Sequence, residues 1–201
     1  MDTRDRITEQ AAEMFFRYGI RSITMDEIAE SLGMSKRTLY ESFATKEDLL
    51  RECMEWKHKE GLRLRDEIEA QYADDPLEII HQHFRHVMMV LNQMHPNFLN
   101  DLQKYHARLW KEHARSKQDS SIAFTRQVLE KGVQKGIFRQ EADMEILSRM
   151  IHTVMPLMTA GTVFNETRFP RAEVVRQVFI NFIRGLATPH GLTLIDEKFN
   201  K

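Results

Sequence analysis

"SITMDEIAESLGMSKRTLYESFATKEDLL", residues 22–50, contains three helix-start signals in close succession. Thr24 followed by Glu27 matches a capping box, in which the Thr hydroxyl accepts from the Glu amide and the Glu carboxylate reaches back. Ser35 can cap a second helix and Thr45 a third, and Gly33 can take the left-handed conformation that ends the first. The spacing predicts a short helix from residue 25, a second over 35–43 and a third from residue 46.

Two short helices joined by a tight turn with a glycine form a helix-turn-helix, whose second helix can enter a DNA major groove. Leu39 and Phe43 lie four residues apart and are expected to hold this helix to the core. Its outer faces then carry Lys36, Arg37, Thr38, Tyr40, Glu41 and Ser42. Such side chains suit base edges and phosphates, and Lys46, which begins the next helix, could reach a backbone phosphate. The alternative is that the caps merely stabilise helices and that the basic pair is solvated surface.

Composition supports an all-α protein and gives no sign of a nucleic-acid partner. The chain has 201 residues, a formal net charge of −1, eight Gly and five Pro, which favours long helices over a turn-rich β design. Residues 1–50 hold seven Lys or Arg against ten Asp or Glu, so only the placement of the cations supports DNA binding. The single Cys53 excludes an internal disulfide framework and is more typical of packing than of redox sensing. With no apolar run long enough for a membrane span and a charged N-terminus, we expect a cytoplasmic location.

Further helices are predicted along the rest of the chain. The first carries an apolar stripe that includes Ile7, Ala11 and Phe15, and it ends at Gly19. The predicted bounds that follow are 46–72, 77–94, 97–116, 119–135, 142–164 and 170–187. Residues from 188 onward contain Pro189 and Gly191 and are expected to be loosely held. We predict a DNA-binding domain at residues 1–46 and a second domain at 47–201.

The last two predicted helices are apolar around more than one face, which indicates either a central position or a second partner. Four residues of the final helix are candidates for a subunit interface: Val175, Phe179, Phe182 and Ile183. Pro156 should kink the preceding helix because it lacks a backbone N–H. The kink, lined by Met155, Met158 and Thr159, could form the wall of an apolar cavity or be a core irregularity without a ligand.

Other kinds of site have weak support. His81, His83 and His86 are the one metal-like cluster, but none of their spacings is the four-residue interval that favours zinc chelation on a helix. No nucleophile motif and no glycine-rich phosphate loop is recognisable, which argues against an enzyme.

The first fifty residues resemble the N-terminal domain of the TetR family of transcriptional repressors. The positions that carry the resemblance are Ala11, Phe15, Gly19, Thr24, Ile28, Ala29, Gly33, Ser35, Leu39, Tyr40, Phe43 and residues 46–49. The resemblance implies that Ser35, Lys36, Arg37, Thr38, Tyr40 and Ser42 face the operator and that Thr24 and Lys46 lie at phosphates. Glu41 departs from the pattern, since the family often has a neutral or basic residue there. Its carboxylate could accept from a cytosine amino group or point away.

The resemblance also implies a homodimer whose last two helices form the interface and a repressor that needs no cofactor. Two recognition helices must span half-sites about 34 Å apart on the DNA. A small apolar or amphipathic effector in the second domain would shift the fourth helix and separate the recognition helices from their grooves. An all-α carrier or enzyme and a metal-sensing repressor are the alternatives.

Overall fold

The computed structural model describes residues 2–159, 163–164 and 168–199, with backbone alone for residues 113–117. Over these residues the chain forms ten α-helices and no strand, and an isolated bridge pairs Phe138 with Ala187. The helices are α1 (Thr3–Tyr18), α2 (Met25–Ser31), α3 (Lys36–Ser42), α4 (Lys46–Gln71), α5 (Pro76–Gln93), α6 (Phe98–Tyr105), α7 (Ala107–Gln134), α8 (Met144–Thr159), α9 (Arg171–Leu186) and α10 (Pro189–Phe199). The all-α prediction is confirmed. Among the described helices, none combines the length and the apolar character that crossing a bilayer requires.

The helix starts read from the opening stretch form as predicted. At the start of α2, the Glu27 amide donates to Thr24 Oγ1 at 3.2 Å and the Thr24 amide donates to Glu27 Oε2 at 2.7 Å. At the start of α3, the Thr38 amide donates to Ser35 Oγ at 3.1 Å. Gly33 adopts φ 64° between the two helices, a conformation that glycine takes without steric cost. The tight turn therefore follows from the local sequence.

The chain divides into two compact units, and the first comprises residues 1–64 and 93–114. Its core includes Ile7 and Phe15 of α1 and Leu39 of α3, and it also includes Leu102 of α6 and Leu109 of α7. The first unit thus extends beyond the predicted domain at residues 1–46. The reason is that α6 and the beginning of α7 bury apolar side chains against the N-terminal helices, a non-local contact without a sequence motif.

The second unit comprises residues 65–92 and 115–201. Its core includes Leu77, Leu129, Phe138, Ile183 and Ile195. The last of these lies in α10, so the expectation of a loosely held tail is wrong.

Helix α10 is anchored at both of its ends. The Gly191 amide donates to Thr188 Oγ1 at 3.0 Å, which caps the start of the helix. A Cβ at Gly191 would lie 2.0 Å from the Ile137 carbonyl oxygen, so the close approach requires glycine. Near the other end, the ring of Phe199 lies 5.5 Å from that of Phe84.

One helix boundary differs from the prediction, and another falls outside the described residues. The break expected near residue 117 lies instead at His106, where φ −127° and ψ 39° end α6 before α7 begins. Tyr105, His106 and Ala107 include no Gly or Pro, so the sequence gives no punctuation there. Helix α8 ends its described length at Thr159, and residues 160–162 of the predicted helix lie outside the described residues.

Candidate DNA-binding surface

Helix α3 presents one face to the core of the first unit and the opposite face to solvent. Leu39 is fully buried and Phe43, which follows the helix, is buried with it. Lys36, Arg37 and Tyr40 are exposed, as the spacing predicts. The exposed large ring of Tyr40 and the two cations make this face capable of contacting base edges and phosphates.

Both cations of this face are paired with carboxylates. Lys36 Nζ lies 2.5 Å from Asp26 Oδ2 on α2, and the hydrogen bond to this carboxylate raises the pKa of Lys36 above its usual value. Arg37 Nε lies 2.8 Å from Glu41 Oε1, one turn along α3. Glu41, the residue that departs from the family pattern, therefore directs its carboxylate to the guanidinium of Arg37.

The hydroxyl groups predicted to face DNA already have local partners. Ser35 Oγ accepts from the Thr38 amide and lies 2.8 Å from Thr38 Oγ1. Ser42 Oγ donates to the Thr38 carbonyl at 3.2 Å. The Thr24 hydroxyl belongs to the capping box, and the Thr24 amide is the main reason that the pKa of Glu27 is lowered. Operator contacts of these four residues stay predictions, while their roles in capping and turn geometry are direct observations.

Lys46 has partners within the protein. Its Nζ donates to the Ile20 carbonyl oxygen at 2.5 Å and also to the Ile23 carbonyl oxygen. Burial lowers the pKa of Lys46, while Glu27 and Asp101 offset part of this effect. A phosphate contact by Lys46 stays a prediction, but its ammonium already connects the first turn of α4 to the segment between α1 and α2.

Arg4 holds the end of α3 and was not identified from the sequence. Arg4 Nη1 donates to the Ser42 carbonyl oxygen at 2.7 Å, and its guanidinium carbon lies 4.1 Å from the centroid of the Phe43 ring. Arg4 also pairs with Glu52 at 3.3 Å. A surface groove of about 300 Å³ is lined by these residues together with Ala44, Asp48 and Arg51. An Arg in the first turn of a helix gives no sequence signal for a partner 38 positions away.

The α9 residues predicted to form a subunit interface pack within the chain. Val175 and Ile183 are 0% and 1% exposed in the single chain, so they are core residues and the interface prediction is wrong for both. Phe179 and Phe182 are partly buried against the core of the second unit, and the Phe179 ring stacks on that of Phe84 with centroids 4.9 Å apart. The apolar excess of α9 is explained by packing within the chain, since α8 and α10 both contact it.

A different apolar stripe is exposed on α8. Ile146, Met150 and Leu157 are 63%, 45% and 51% exposed and lie at spacings that place them on one helix face. Pro156 is also exposed in the single chain, and its place in the effector pocket stays a prediction.

The remaining predicted cavity residues lie on the inner side of α8. Met155 and Met158 follow the buried Ile151 at helical spacing and are partly buried. Thr159 is also partly buried, and its hydroxyl donates to the Met155 carbonyl at 3.2 Å. The same helix makes a contact that the sequence did not predict: His152 Nε2 lies 2.9 Å from Thr125 Oγ1 of α7.

The His residues of α5 have separate surroundings. His81 packs edge-to-face on Phe199 and His83 on Phe124. Among the described residues, His83 Nε2 is buried and has no hydrogen-bond partner, and burial is the main reason that the pKa of His83 is lowered. Within the part of the chain that the structure describes, no three His, Cys, Asp or Glu residues come together in a way that could hold a metal ion.

Comparison with known proteins gives a consistent result. Residues 7–53 match the family described as "Bacterial regulatory proteins, tetR family". The chain is 26% identical over 217 residues to the HTH-type transcriptional repressor KstR2 of Mycobacterium tuberculosis, with 94% of each protein covered. Its fold is similar to that of a TetR-family regulator from Marinobacter aquaeolei VT8, with a TM-score of 0.70, 23% identity, and 98% of this chain and 99% of that chain covered. It is also similar to Thermus thermophilus FadR, solved in complex with lauroyl-CoA, with a TM-score of 0.59, 18% identity, and 92% and 95% covered.

Proposed function

Because this chain belongs to the TetR family of transcriptional regulators, we propose that it represses transcription by binding a palindromic operator as a homodimer and is released by a small effector. The observation that carries the proposal is the outward face of α3. Leu39 fixes the helix to the core, so Lys36, Arg37 and Tyr40 project from a capped helix-turn-helix.

The contacts to DNA are proposed residue by residue. Arg37 is the candidate for a base edge, because its side chain is 88% exposed and a guanidinium can pair with guanine. Tyr40 and Lys36 flank it, and the hydroxyls of Ser35, Thr38 and Ser42 are placed along the same helix. Thr24 and Lys46 are proposed to lie at phosphates through the backbone amides at the starts of α2 and α4.

The homodimer is proposed to form through the exposed stripe of α8 that contains Ile146, Met150 and Leu157. Apolar side chains of this size at one helix face favour association with another apolar surface. A second copy of the chain presents the same stripe, which suits the self-complementary contact of a two-fold dimer. A dimer would also supply the two recognition helices that a palindrome requires.

The effector is proposed to be apolar or amphipathic and to contact the inner side of α8 at Met155 and Met158. Met side chains adapt to irregular apolar ligands. FadR, a repressor of similar fold, was solved with lauroyl-CoA, which is amphipathic. Release from DNA requires that the effector bind the DNA-incompetent conformation more tightly than the competent one.

The test is a gel-shift titration of the protein against the DNA that flanks its own gene, with an unrelated duplex as competitor. We expect a shifted complex that the competitor does not remove. Arg37→Ala should lose about 1 to 3 kcal/mol of specific binding and relax the preference at one base pair, while binding to the competitor changes little. A protein that binds both duplexes equally weakly would contradict the proposal and favour an all-α carrier or enzyme.

A further inference from the structure

Glu41 is an exposed carboxylate on the helix that is proposed to read DNA. An acid at this place opposes binding to a polyanion, and residues 1–50 already carry more Asp and Glu than Lys and Arg. Its side chain is 62% exposed, so the core does not require it. An exposed ion pair between residues four apart on a helix also contributes little to stability. Neither packing nor stability therefore explains a Glu at this position.

The geometry of the Arg37–Glu41 pair gives a different explanation. Glu41 Oε1 is 2.8 Å from Arg37 Nε, the nitrogen nearest the Arg backbone. With Nε occupied, the two terminal nitrogens of the guanidinium keep their outward hydrogen-bond donors. Those two donors match the O6 and N7 acceptors that guanine presents in the major groove. A guanidinium held at Nε has lost part of its rotational freedom before DNA arrives, which favours one orientation at the base.

We infer that Glu41 is a positioning residue that makes Arg37 selective for guanine and weakens binding to DNA that lacks this guanine. The first effect acts through the hydrogen bond to Nε. The second acts through charge, because the carboxylate lies beside Arg37 on the exposed side of α3 and repels phosphates wherever the Arg37 contact is not made. The pairing of Lys36 with Asp26 at 2.5 Å reduces the free positive charge of this face in the same way. This inference rests on the proposed DNA-binding function.

Three substitutions separate the hydrogen bond from the charge. Glu41→Gln removes the charge but keeps an acceptor oxygen at the same distance along the side chain. Glu41→Asp keeps the charge but is one methylene shorter, so it does not reach Nε in the same geometry. Glu41→Ala removes both. The matched control is Glu9→Gln, which makes the same change in net charge at an exposed position of α1 outside the helix-turn-helix.

The probes are duplexes that the wild-type protein selects from a random DNA library. One base pair of the selected duplex is identified as the Arg37 contact because Arg37→Ala no longer discriminates there. Affinity is then measured for three duplexes: the selected one, the same duplex with that base pair changed, and a random one. An Arg contact to guanine is expected to discriminate by about 5- to 150-fold.

The expected result is a separation of the two effects. Glu41→Asp and Glu41→Ala should reduce the discrimination at the Arg37 base pair by about threefold or more, whereas Glu41→Gln should keep most of it. Glu41→Gln and Glu41→Ala should bind the random duplex about two- to fivefold more tightly, and Glu9→Gln should not. In the double variant Arg37→Ala plus Glu41→Ala, discrimination at this base pair should equal that of Arg37→Ala alone, because Glu41 acts through Arg37.

Several results would overturn the inference. Full discrimination in Glu41→Asp would mean that the hydrogen bond does not orient Arg37. Lost discrimination at a different base pair in Glu41→Ala would mean that Glu41 contacts a base directly. Equal binding of the random duplex by Glu41→Gln and the wild type would show that the charge of Glu41 does not repel DNA. A wild-type protein that selects no sequence from the library would instead contradict the proposed function, and the inference with it.

Discussion

Replacing Lys46 by Met tests whether this residue stabilises the DNA-binding unit or serves as a phosphate ligand. Met keeps most of the aliphatic stem but removes the ammonium, and with it the hydrogen bonds to the Ile20 and Ile23 carbonyl oxygens. Hydrogen bonds to a charged group contribute about 1.5 to 3 kcal/mol each. The burial that lowers the pKa of Lys46 works against this gain, because the charged amine has lost part of its hydration.

We therefore expect Lys46→Met to lower the free energy of unfolding by about 1 to 2 kcal/mol in total. For a chain of this size that corresponds to a decrease in Tm of about 2 to 8 °C, measured by circular dichroism at neutral pH. Lys59→Met is the matched control, since Lys59 is an exposed residue of the same helix, and its Tm should stay close to that of the wild type.

The same two variants decide the alternative role. If the Lys46 ammonium contacts a phosphate and does not stabilise the fold, Lys46→Met should leave Tm unchanged. It should also reduce the salt dependence of DNA binding by about one unit of slope. If Lys46→Met and Lys59→Met have the same Tm, and only Lys46→Met shows the reduced salt dependence of DNA binding, the stabilising role assigned to the carbonyl contacts of Lys46 is wrong.

Three further predictions concern other parts of the chain. Arg4→Met should lower the free energy of unfolding by about 0.5 to 1.5 kcal/mol, because Arg4 loses its contacts to the end of α3. The control Arg6→Met, at an exposed position of α1, should leave the free energy of unfolding unchanged. Equal urea midpoints of the two variants would contradict this prediction. Met150→Glu should give folded monomers in sedimentation, because it places a charge on the proposed dimer surface; a dimer of unchanged affinity would exclude the α8 stripe. Burial lowers the pKa of His83 and of His152 below 6.5, so the unfolded chain binds protons first as the pH falls. Stability should therefore decrease below about pH 6.5 toward the lower folded-state pKa values, and the decrease should be smaller in His83→Gln; identical pH profiles of Tm would refute this.

The sequence by itself determined the helix-turn-helix. Its signals are local: Thr24 with Glu27, the left-handed Gly33 and the Ser35 cap act within three or four residues of themselves, and the structure forms each of them. Backbone capping depends on near neighbours alone, which is why such elements are predictable from one sequence. The exposed face of α3 followed from the same periodicity.

Only the tertiary structure decided which apolar surfaces meet. The apolar excess of α9 was compatible with a core or an interface, and Val175 and Ile183 proved to be buried within the chain. On α8, the sequence did not separate the exposed apolar residues from the buried ones. The tail was expected to be loose because it contains Pro and Gly, yet Ile195 is fully buried in α10. The Ser42 carbonyl that accepts from Arg4 lies 38 positions away in the chain, and the two carbonyls that accept from Lys46 lie 23 and 26 positions away. Periodicity indicates that a side chain is apolar on one face, but the identity of its partner depends on contacts between segments that are distant in sequence, and these form only when the chain packs.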